Sequence, residues 1–510
     1  MTDVTRLFDL LARCAEKYDK PDAVAAREKG LWKKYSTREL ISHCNDVSSG
    51  LLALGLSKGD RIATLSNNRP EWNFLDLGML QIGVIHIPIY PNASDSDLAF
   101  ILADAKVSHV FVSNGELYAR VKKTSEGIPG IRGIHSFDAV TGAAHFSEVV
   151  DAGKKQPNPA LVGSIQKSIG PNDLATILYT SGTTGNPKGV MLSHENLISN
   201  FKAMGLVADM KSHWKALSFL PLNHVYERML TYLYLYEGIS IYYAESLDTI
   251  VDNLKEIRPH LFATVPRLLE KVYDRIVARG AELKGIKKRL FDWALRLGLA
   301  YEPEGAKGFW YELQLKIANK LIFNKWREAL GGNVEIIVSG GAALQPRLAR
   351  VFWAARIPVL EGYGLTETSH VIAVNQLHPG GLRFGTVGPV IDQVRVKIAE
   401  DGEILVQGPN VMLGYRDRPD LTAEAIDAEG WFHTGDIGIL EEGKFLKITD
   451  RKKEIFKTSG GKYIAPQLIE NKLKESVLIE QALVIGENQK FASALIVPAF
   501  AQLRRALGLD

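Results

Sequence analysis

The sequence predicts an α/β protein. Its large N-terminal body is read as two helix-flanked sheets with a small β-barrel-like unit, and a small, incomplete α/β domain follows. Three observations lead there. Short apolar, β-branched runs recur between amphipathic helical patterns, the alternation that buries sheets under helices. From Val394 the texture changes to alternating strands joined by tight Gly turns. At Asp450 an abrupt charged stretch, Asp-Arg-Lys-Lys-Glu, precedes a glycine loop and marks a boundary.

The elements follow in order. The apolar runs are Arg61–Ser66, Val84–Tyr90, Val107–Ser113, Ala175–Ser181, Ala216–Pro221, Ile239–Glu245, Leu261–Pro266, Val334–Gly340 and Ile357–Leu360. Helical periodicity marks Thr37–Leu54 and Leu344–Ala355. Residues 125–171, rich in Gly, Ser, Pro and Lys, read as a surface excursion. Residues 281–330 read as a helical insert, with Leu290, Ala294 and Leu297 on one face and Leu313, Ile317 and Leu321 on another. The insert carries ten Lys/Arg against six Asp/Glu. Hairpins turn at Asp401-Gly402 and Glu442-Gly443. The reading divides the chain into 1–449, containing the β unit 394–449, and 450–510 after a hinge at Asp450.

Composition narrows the class. The 510 residues give a prior of about three domains. With 46% hydrophobic and 23% charged residues this is an ordinary globular profile. Sixty-one basic against 58 acidic residues leave +3, too balanced for a polybasic nucleic-acid binder. Cys14 and Cys44 cannot make a disulfide framework and fit a reducing compartment. No secretory signal or membrane-spanning run is read. A large cytoplasmic enzyme is expected, with peripheral contact at the inner face of a membrane left open.

The most informative segment is Ala175–Asn196. A buried-type strand leads into Thr180-Ser181-Gly182-Thr183-Thr184-Gly185, then Lys188. Glycines let the backbone approach a ligand closely, hydroxyls bond phosphate oxygens, and the lysine adds a point charge. Lys188 lies between Pro187 and Gly189, so this is not the Gly-Lys-Ser/Thr of a Walker A loop. Downstream stand Glu361-Gly362-Tyr363-Gly364-Leu365-Thr366-Glu367-Thr368, then Trp431-Phe432-His433-Thr434-Gly435-Asp436, then the segment from Asp450 to Pro466.

Together these segments resemble the signature motifs of the adenylate-forming (AMP-binding) superfamily, in family order over nearly the whole chain. The resemblance implies ATP, Mg²⁺ and coenzyme A as cofactor and co-substrates. It implies that a carboxylate is converted to an acyl-adenylate and then to a thioester. It places the loop from Thr180 to Gly189 on the β- and γ-phosphates, and Glu367, with Thr180, on magnesium. Thr366 goes to the α-phosphate, and Tyr363 to adenine with Gly341 and Ala342 nearby. Asp436 takes the ribose diol with Arg451 assisting, and Lys453 and Lys457 are further nucleotide contacts.

Pro221–Arg228, reading PLNHVYER, resembles the matching segment of long-chain fatty acid–CoA ligases, where His224 orients the carboxylate. Glu227 and Arg228 are expected to pair locally. The helical insert also looks like that of long-chain members, so the expected substrate is a medium-to-long-chain fatty acid. CoA is the closest acceptor by resemblance; a carrier-protein pantetheine would use the same tunnel. Two alternatives stay open: a fatty acyl-AMP ligase, or a nucleotide-binding protein impaired in catalysis. The second arises because sixty residues follow Asp450, none forming the Leu-Thr-x-Thr-x-Lys segment that bears the family's adenylation lysine. A truncated sequence, or a protein lacking that lysine and less active for it, is the expectation.

Overall fold

The computed structural model describes residues 3–180, 185–246, 248–460, 462–476 and 478–509. Apolar runs become the inner strands of two eight-stranded sheets. The first sheet orders as Gly414–Tyr415, Lys188–Ser193, Leu174–Thr180, Ile85–Pro88, Arg61–Leu65, His109–Val112, Gly133–Ser136 and Ala144–His145. It is parallel from Leu174–Thr180 outward to Ala144–His145 and antiparallel at the other edge. The second orders as Ala373–Val374, Val359–Tyr363, Ile336–Ser339, Leu261–Thr264, Lys215–Ser218, Ser240–Tyr243, Val24–Glu28 and Leu31–Tyr35. Parallel strands buried on both faces need helices on both sides. Helices Pro70–Gln81 and Val225–Glu237 fill the layer between the sheets, buried round almost their whole circumference. No helix among the described residues is long and apolar enough to cross a membrane.

The two predicted hairpins form. Arg395–Ile398 and Glu403–Gln407 pair across Gly402, and Phe432–Glu441 pairs with Phe445–Arg451. Glu442 (φ 52°) and Gly443 (φ 67°) both take positive φ, the two-residue turn that matches strand twist. These strands make a four-stranded antiparallel sheet, in which Asp450 and Arg451 end the last strand. Beyond it lie two two-stranded ribbons and the helices Pro466–Leu473 and Phe500–Ala506.

Helix Thr37–Ala53 starts at a capping box, Ser36 with Glu39, which satisfies two orphan N–H groups. Residues 125–171 differ from the expected excursion: they include helices Phe146–Lys155 and Pro159–Lys167. One glycine of that segment, Gly153, is a contact point between helices, set against Gly50 of Thr37–Ala53. A Cβ on Gly50 would stand 1.9 Å from the Val149 carbonyl oxygen, and one on Gly153 would stand 1.8 Å from that of Asp46. In the insert, Ala294 is buried as expected, but Leu313, Ile317 and Leu321 face outward. The buried side of their rod is Leu315, Ala318, Phe323 and Trp326.

A charged network crosses the middle of the molecule. Arg228 does not pair with Glu227. Its Nη2 donates to Asp76 Oδ1 at 2.6 Å, its Nε to the Tyr232 hydroxyl at 2.8 Å and its Nη1 to Thr176 Oγ1 at 2.7 Å. Tyr232 donates to Asp76 Oδ2 at 2.6 Å, and His86 Nδ1 lies 2.7 Å from Asp76 Oδ1. Burial pushes the His86 imidazole down to about 4, so it is neutral. With its proton on Nδ1 toward Asp76, its Nε2 accepts from Thr64 Oγ1 at 2.7 Å. Burial pushes the Asp76 carboxyl up, but Arg228 and the hydrogen bonds outweigh it and hold it below the usual carboxylate range. Pairing with the nearer Glu227 would have left Asp76 uncompensated between two sheets.

Removing the guanidinium should expose that constraint. Arg228→Ala should cost about 3–5 kcal/mol, because it strands the Asp76 carboxylate in the interior. Urea unfolding should register the loss, while removal of the exposed Lys472–Glu475 pair should leave the midpoint in place. A small effect at Arg228 would contradict the central role of the network.

Candidate active site

The phosphate-type loop is the connection of a β-hairpin. Thr180 pairs with Lys188 across strands Leu174–Thr180 and Lys188–Ser193, so the lysine opens a strand where a Walker loop would open a helix. Ser181, Gly182, Thr183 and Thr184 lie outside the described residues. Gly185 has φ 136°, a conformation that suits glycine. The return strand is braced by Gly414–Tyr415, which pairs with Val190 and Met191. Arg416 extends the brace, its N–H donating to the Gly189 carbonyl at 2.8 Å and its Nε to that of Asp104 at 2.9 Å.

Tyr415 joins the lysine to the acid. The Lys188 ammonium stands over its ring at 5.0 Å, and its hydroxyl donates to Glu367 Oε1 at 2.9 Å. Burial and the Glu367 charge both push the phenol's pKa up, which keeps it a donor. Glu367 sits in the single 3₁₀ turn Thr366–Thr368, with its carbonyl accepting from Met412 N–H at 2.8 Å. Thr366 opens that turn, partly exposed. The sequence reading missed Tyr415; the only available signal was an aromatic in a short Gly-Tyr-Arg string.

The next pair lies four residues upstream and across a sheet boundary. The Tyr363 hydroxyl donates to Asp436 Oδ2 at 2.6 Å, and Arg451 Nε lies 3.4 Å from Asp436 Oδ1. Burial raises the Asp436 carboxyl, and the Tyr363 and Arg451 contacts oppose it. Asp436 and Arg451 are register partners, so one strand pair supplies both. Gly362 pairs with Val374 in the neighbouring strand. The bare backbone of Gly364 has a tertiary cause, because a Cβ there would sit 1.2 Å from the His370 carbonyl oxygen. Glu361 is buried in the same strand and desolvation pushes its carboxyl up to about 8. Gly341 (φ 79°) and Ala342 lie exposed just past strand Ile336–Ser339, whose Ser339 is in register with Glu361.

His224 caps helix Val225–Glu237. Its Nδ1 accepts from Tyr226 N–H at 3.1 Å, which leaves the proton on Nε2. One edge is open to solvent, yet the ring sits in a recess whose desolvation lowers its pKa. Tyr90 and His370 flank it at 6.5 and 6.2 Å between ring centroids, and His370 stacks on Tyr226 at 4.1 Å. Tyr226 in turn covers Gly340, its ring carbons 3.3–3.6 Å from where a Cβ would be, along with its hydroxyl. The Lys457 ammonium stands over the Tyr463 ring at 4.4 Å, and Lys453 comes two residues after Arg451.

Among the described residues no three His, Cys, Asp or Glu side chains gather as a metal cage. The donors that the family resemblance assigns to a metal are the Glu367 carboxylate and the Thr180 hydroxyl. These all-oxygen donors fit a hard cation that keeps water and phosphate in its shell.

The profile of AMP-binding enzymes matches residues 12–416. The chain belongs to this family. Among relatives of this AMP-binding enzyme is long-chain-fatty-acid–CoA ligase FadD15 of Mycobacterium tuberculosis. It is 33% identical over 485 residues, 94% of this chain and 80% of the relative. Human long-chain-fatty-acid–CoA ligase 1 is 32% identical, covering 97% of this chain and 74% of its own. The same fold occurs in the anthranilate CoA ligase AuaEII in complex with anthranoyl-AMP. That structure gives a TM-score of 0.74 at 18% identity over 98% of this chain and 89% of that one. A Mycobacterium tuberculosis fatty acyl CoA synthetase gives 0.69 at 21% identity, over 99% and 92%.

Glu227, one residue before the network arginine, supplies a pH test. It is buried beside Ser218, neither carboxyl oxygen has a well-formed hydrogen bond, and desolvation pushes it up to about 8. Between its ordinary 4.5 and about 8 the folded state therefore holds a proton that the unfolded chain releases. Stability should fall by up to a few kcal/mol as pH rises through that window, then flatten. Glu227→Gln should remove this part of the slope, read from urea midpoints at about pH 5 and about pH 8. An unchanged slope would mean that Glu227 is ionised in the fold.

Proposed function

We propose that this AMP-binding enzyme activates a medium-to-long-chain fatty acid with ATP, forming an acyl-adenylate and then its CoA thioester. The observation that carries the reading is the run of contacts from Lys188 through Tyr415 to Glu367, with Tyr363, Asp436 and Arg451 beginning four residues upstream of that glutamate. One end offers a cation and a carboxylate for a polyphosphate, and the other an aromatic and a carboxylate for a nucleoside. The names of the long-chain relatives support the choice of acid.

In the first step a carboxylate oxygen attacks the α-phosphorus. The bond to the β-phosphate bridging oxygen breaks, and pyrophosphate leaves. Two anions must meet, so the protein's task is to offset their charge and hold them in line. Lys188 serves the β- and γ-phosphates with the loop residues Thr180, Ser181, Gly182, Thr183, Thr184 and Gly185, and Thr366 serves the α-phosphate. Magnesium, when bound, would neutralise phosphate charge; Glu367 and Thr180 would hold it. The adenine lies against Tyr363, bordered by Glu361, Gly362 and Gly364 and by the turn at Gly341 and Ala342. Asp436 receives the ribose diol at Oδ1, its Oδ2 already engaged by Tyr363, with Arg451 beside it. Lys453 and Lys457 lie on the segment that would approach the nucleotide.

His224, neutral and with Nε2–H free to donate, orients the acid's carboxylate from the recess mouth. In the second step a thiol sulfur attacks the adenylate carbonyl, the C–O bond to AMP breaks and the thiol proton passes to solvent. The acceptor is coenzyme A. A carrier-protein pantetheine would make the protein a fatty acyl-AMP ligase, and a nucleotide-binding protein without catalysis would form neither product. The alkyl chain contributes about 0.8 kcal/mol per buried methylene, which favours long acids without fixing a length. We also read the protein as cytoplasmic and in peripheral contact with membrane, where such acids partition.

Incubation with palmitate, ATP, Mg²⁺ and CoA, followed by mass spectrometry, tests the reading directly. Acyl-CoA and AMP are expected; adenylate without thioester would favour the carrier-protein reading, and neither would overturn both. Lys188→Ala should depress acid-dependent pyrophosphate exchange by roughly 100-fold while weakening ATP binding much less. Asp436→Ala should do the reverse, and equal losses in both variants would contradict the division of labour. Tyr415→Phe keeps the ring under Lys188 but frees Glu367. It should raise the Mg²⁺ concentration needed for half-maximal ATP binding by about 10- to 100-fold with kcat less affected. An unaltered Mg²⁺ dependence would remove Tyr415 from the site.

A further inference from the structure

The rod formed by helix Phe309–Ala318, the π-turn Asn319–Phe323 and helix Asn324–Ala329 is apolar on two opposite sides. Its inner side, Leu315, Ala318, Phe323 and Trp326, is packed in the core. Asn319 locks it there, its Nδ2 donating to the Leu315 and Ala354 carbonyls at 3.1 and 2.8 Å. Arg327 adds a bond to Asn319 Oδ1 at 2.7 Å. The outer side is therefore held facing solvent by a well-anchored element.

That outer side has the wrong chemistry for water alone. Phe309 and Trp310 are 74% and 73% exposed, and Leu313, Ile317 and Leu321 continue the stripe at helical spacing. A surface helix ordinarily turns its polar face outward. Contiguous exposed apolar stripes mark interaction sites. Lys316 and Lys320 border the stripe one position away from Ile317 and Leu321, and Lys307 and Lys325 stand at the two ends, all exposed. Across 307–325 the only acid is Glu312, so the face carries a net positive charge.

We propose that this face is a docking surface for an anionic phospholipid bilayer, with Trp310 and Phe309 entering the headgroup boundary and the lysines contacting lipid phosphates. Bulky aromatics and Leu/Ile on one side with lysines at the margin are what interfacial helices use. Charge complementarity favours lipid over a second copy. A two-fold contact through the same patch would set lysines against lysines. The inference gives a face to the membrane contact read above, and it rests on this surface whatever acid the enzyme activates.

Co-sedimentation of the full chain with vesicles decides it. The vesicles are phosphatidylcholine alone, or phosphatidylcholine with phosphatidylglycerol as roughly a third of the lipid. The unaltered protein should pellet with the anionic vesicles and less with the neutral ones. Phe309→Ser/Trp310→Ser and Lys316→Glu/Lys320→Glu should each weaken binding at least about tenfold. Added salt should weaken the unaltered protein's binding too. Both variants should keep acid-dependent pyrophosphate exchange with a water-soluble acid in the absence of vesicles, which shows that they are folded. The proposal is overturned if the unaltered protein stays in the supernatant, if the variants pellet as it does, or if light scattering finds a dimer that Trp310→Ser dissolves. Vesicle binding without any acid activation would count against the enzymatic reading alone.

Discussion

A single buried ion pair fixes the relation between the two large sheets. Asp76 comes from the helix that follows the first central strand of one sheet, and Arg228 from a helix inserted between strands of the other. Both are shut off from water, so neither tolerates loss of its partner, and His86, Tyr232, Thr176 and Thr64 satisfy what remains. Arg228 lies one helical turn after His224, and its own N–H donates to the His224 carbonyl. The network therefore sets the depth and rotation of the helix whose first turn borders the recess.

Around that fixed helix, three sheets each deliver one part of the candidate site. Lys188 and Tyr415 belong to the first sheet's antiparallel edge, Tyr363 and the turn bearing Glu367 to the second, and Asp436 and Arg451 to the small antiparallel sheet. Two hydrogen bonds bridge the gaps: Tyr415 to Glu367 spans first and second, and Tyr363 to Asp436 spans second and third. Both donors are phenols set against carboxylates, which orient an acid without neutralising it. A site divided this way is complete only when all three sheets are docked.

What the sequence disclosed followed the range of the interaction. The hairpin turns and the glycine–hydroxyl loop before Lys188 are local, and short strings specify them. The partner of Arg228 is not local. Glu227 is the nearest acid in sequence, but helix geometry turns adjacent residues about 100° apart, and Asp76 is 152 positions away. Tyr415 escaped notice for the same reason, since its role exists only once its strand lies beside Lys188–Ser193. The stripe Leu313, Ile317 and Leu321 was legible as a stripe. Its outward orientation was not, because the rod has a second apolar side and periodicity alone does not rank them.

The joint at Gly50 and Gly153 has a consequence in time as well as space. Helices Thr37–Ala53 and Phe146–Lys155 touch backbone to backbone, yet about a hundred residues of chain, including much of the first sheet, lie between the two glycines. Contacts so distant in sequence form after local ones, since the intervening loop must first be closed. The segment whose composition looks loosest thus docks after its own helices have formed, and a side chain at either glycine would hold the two helices apart.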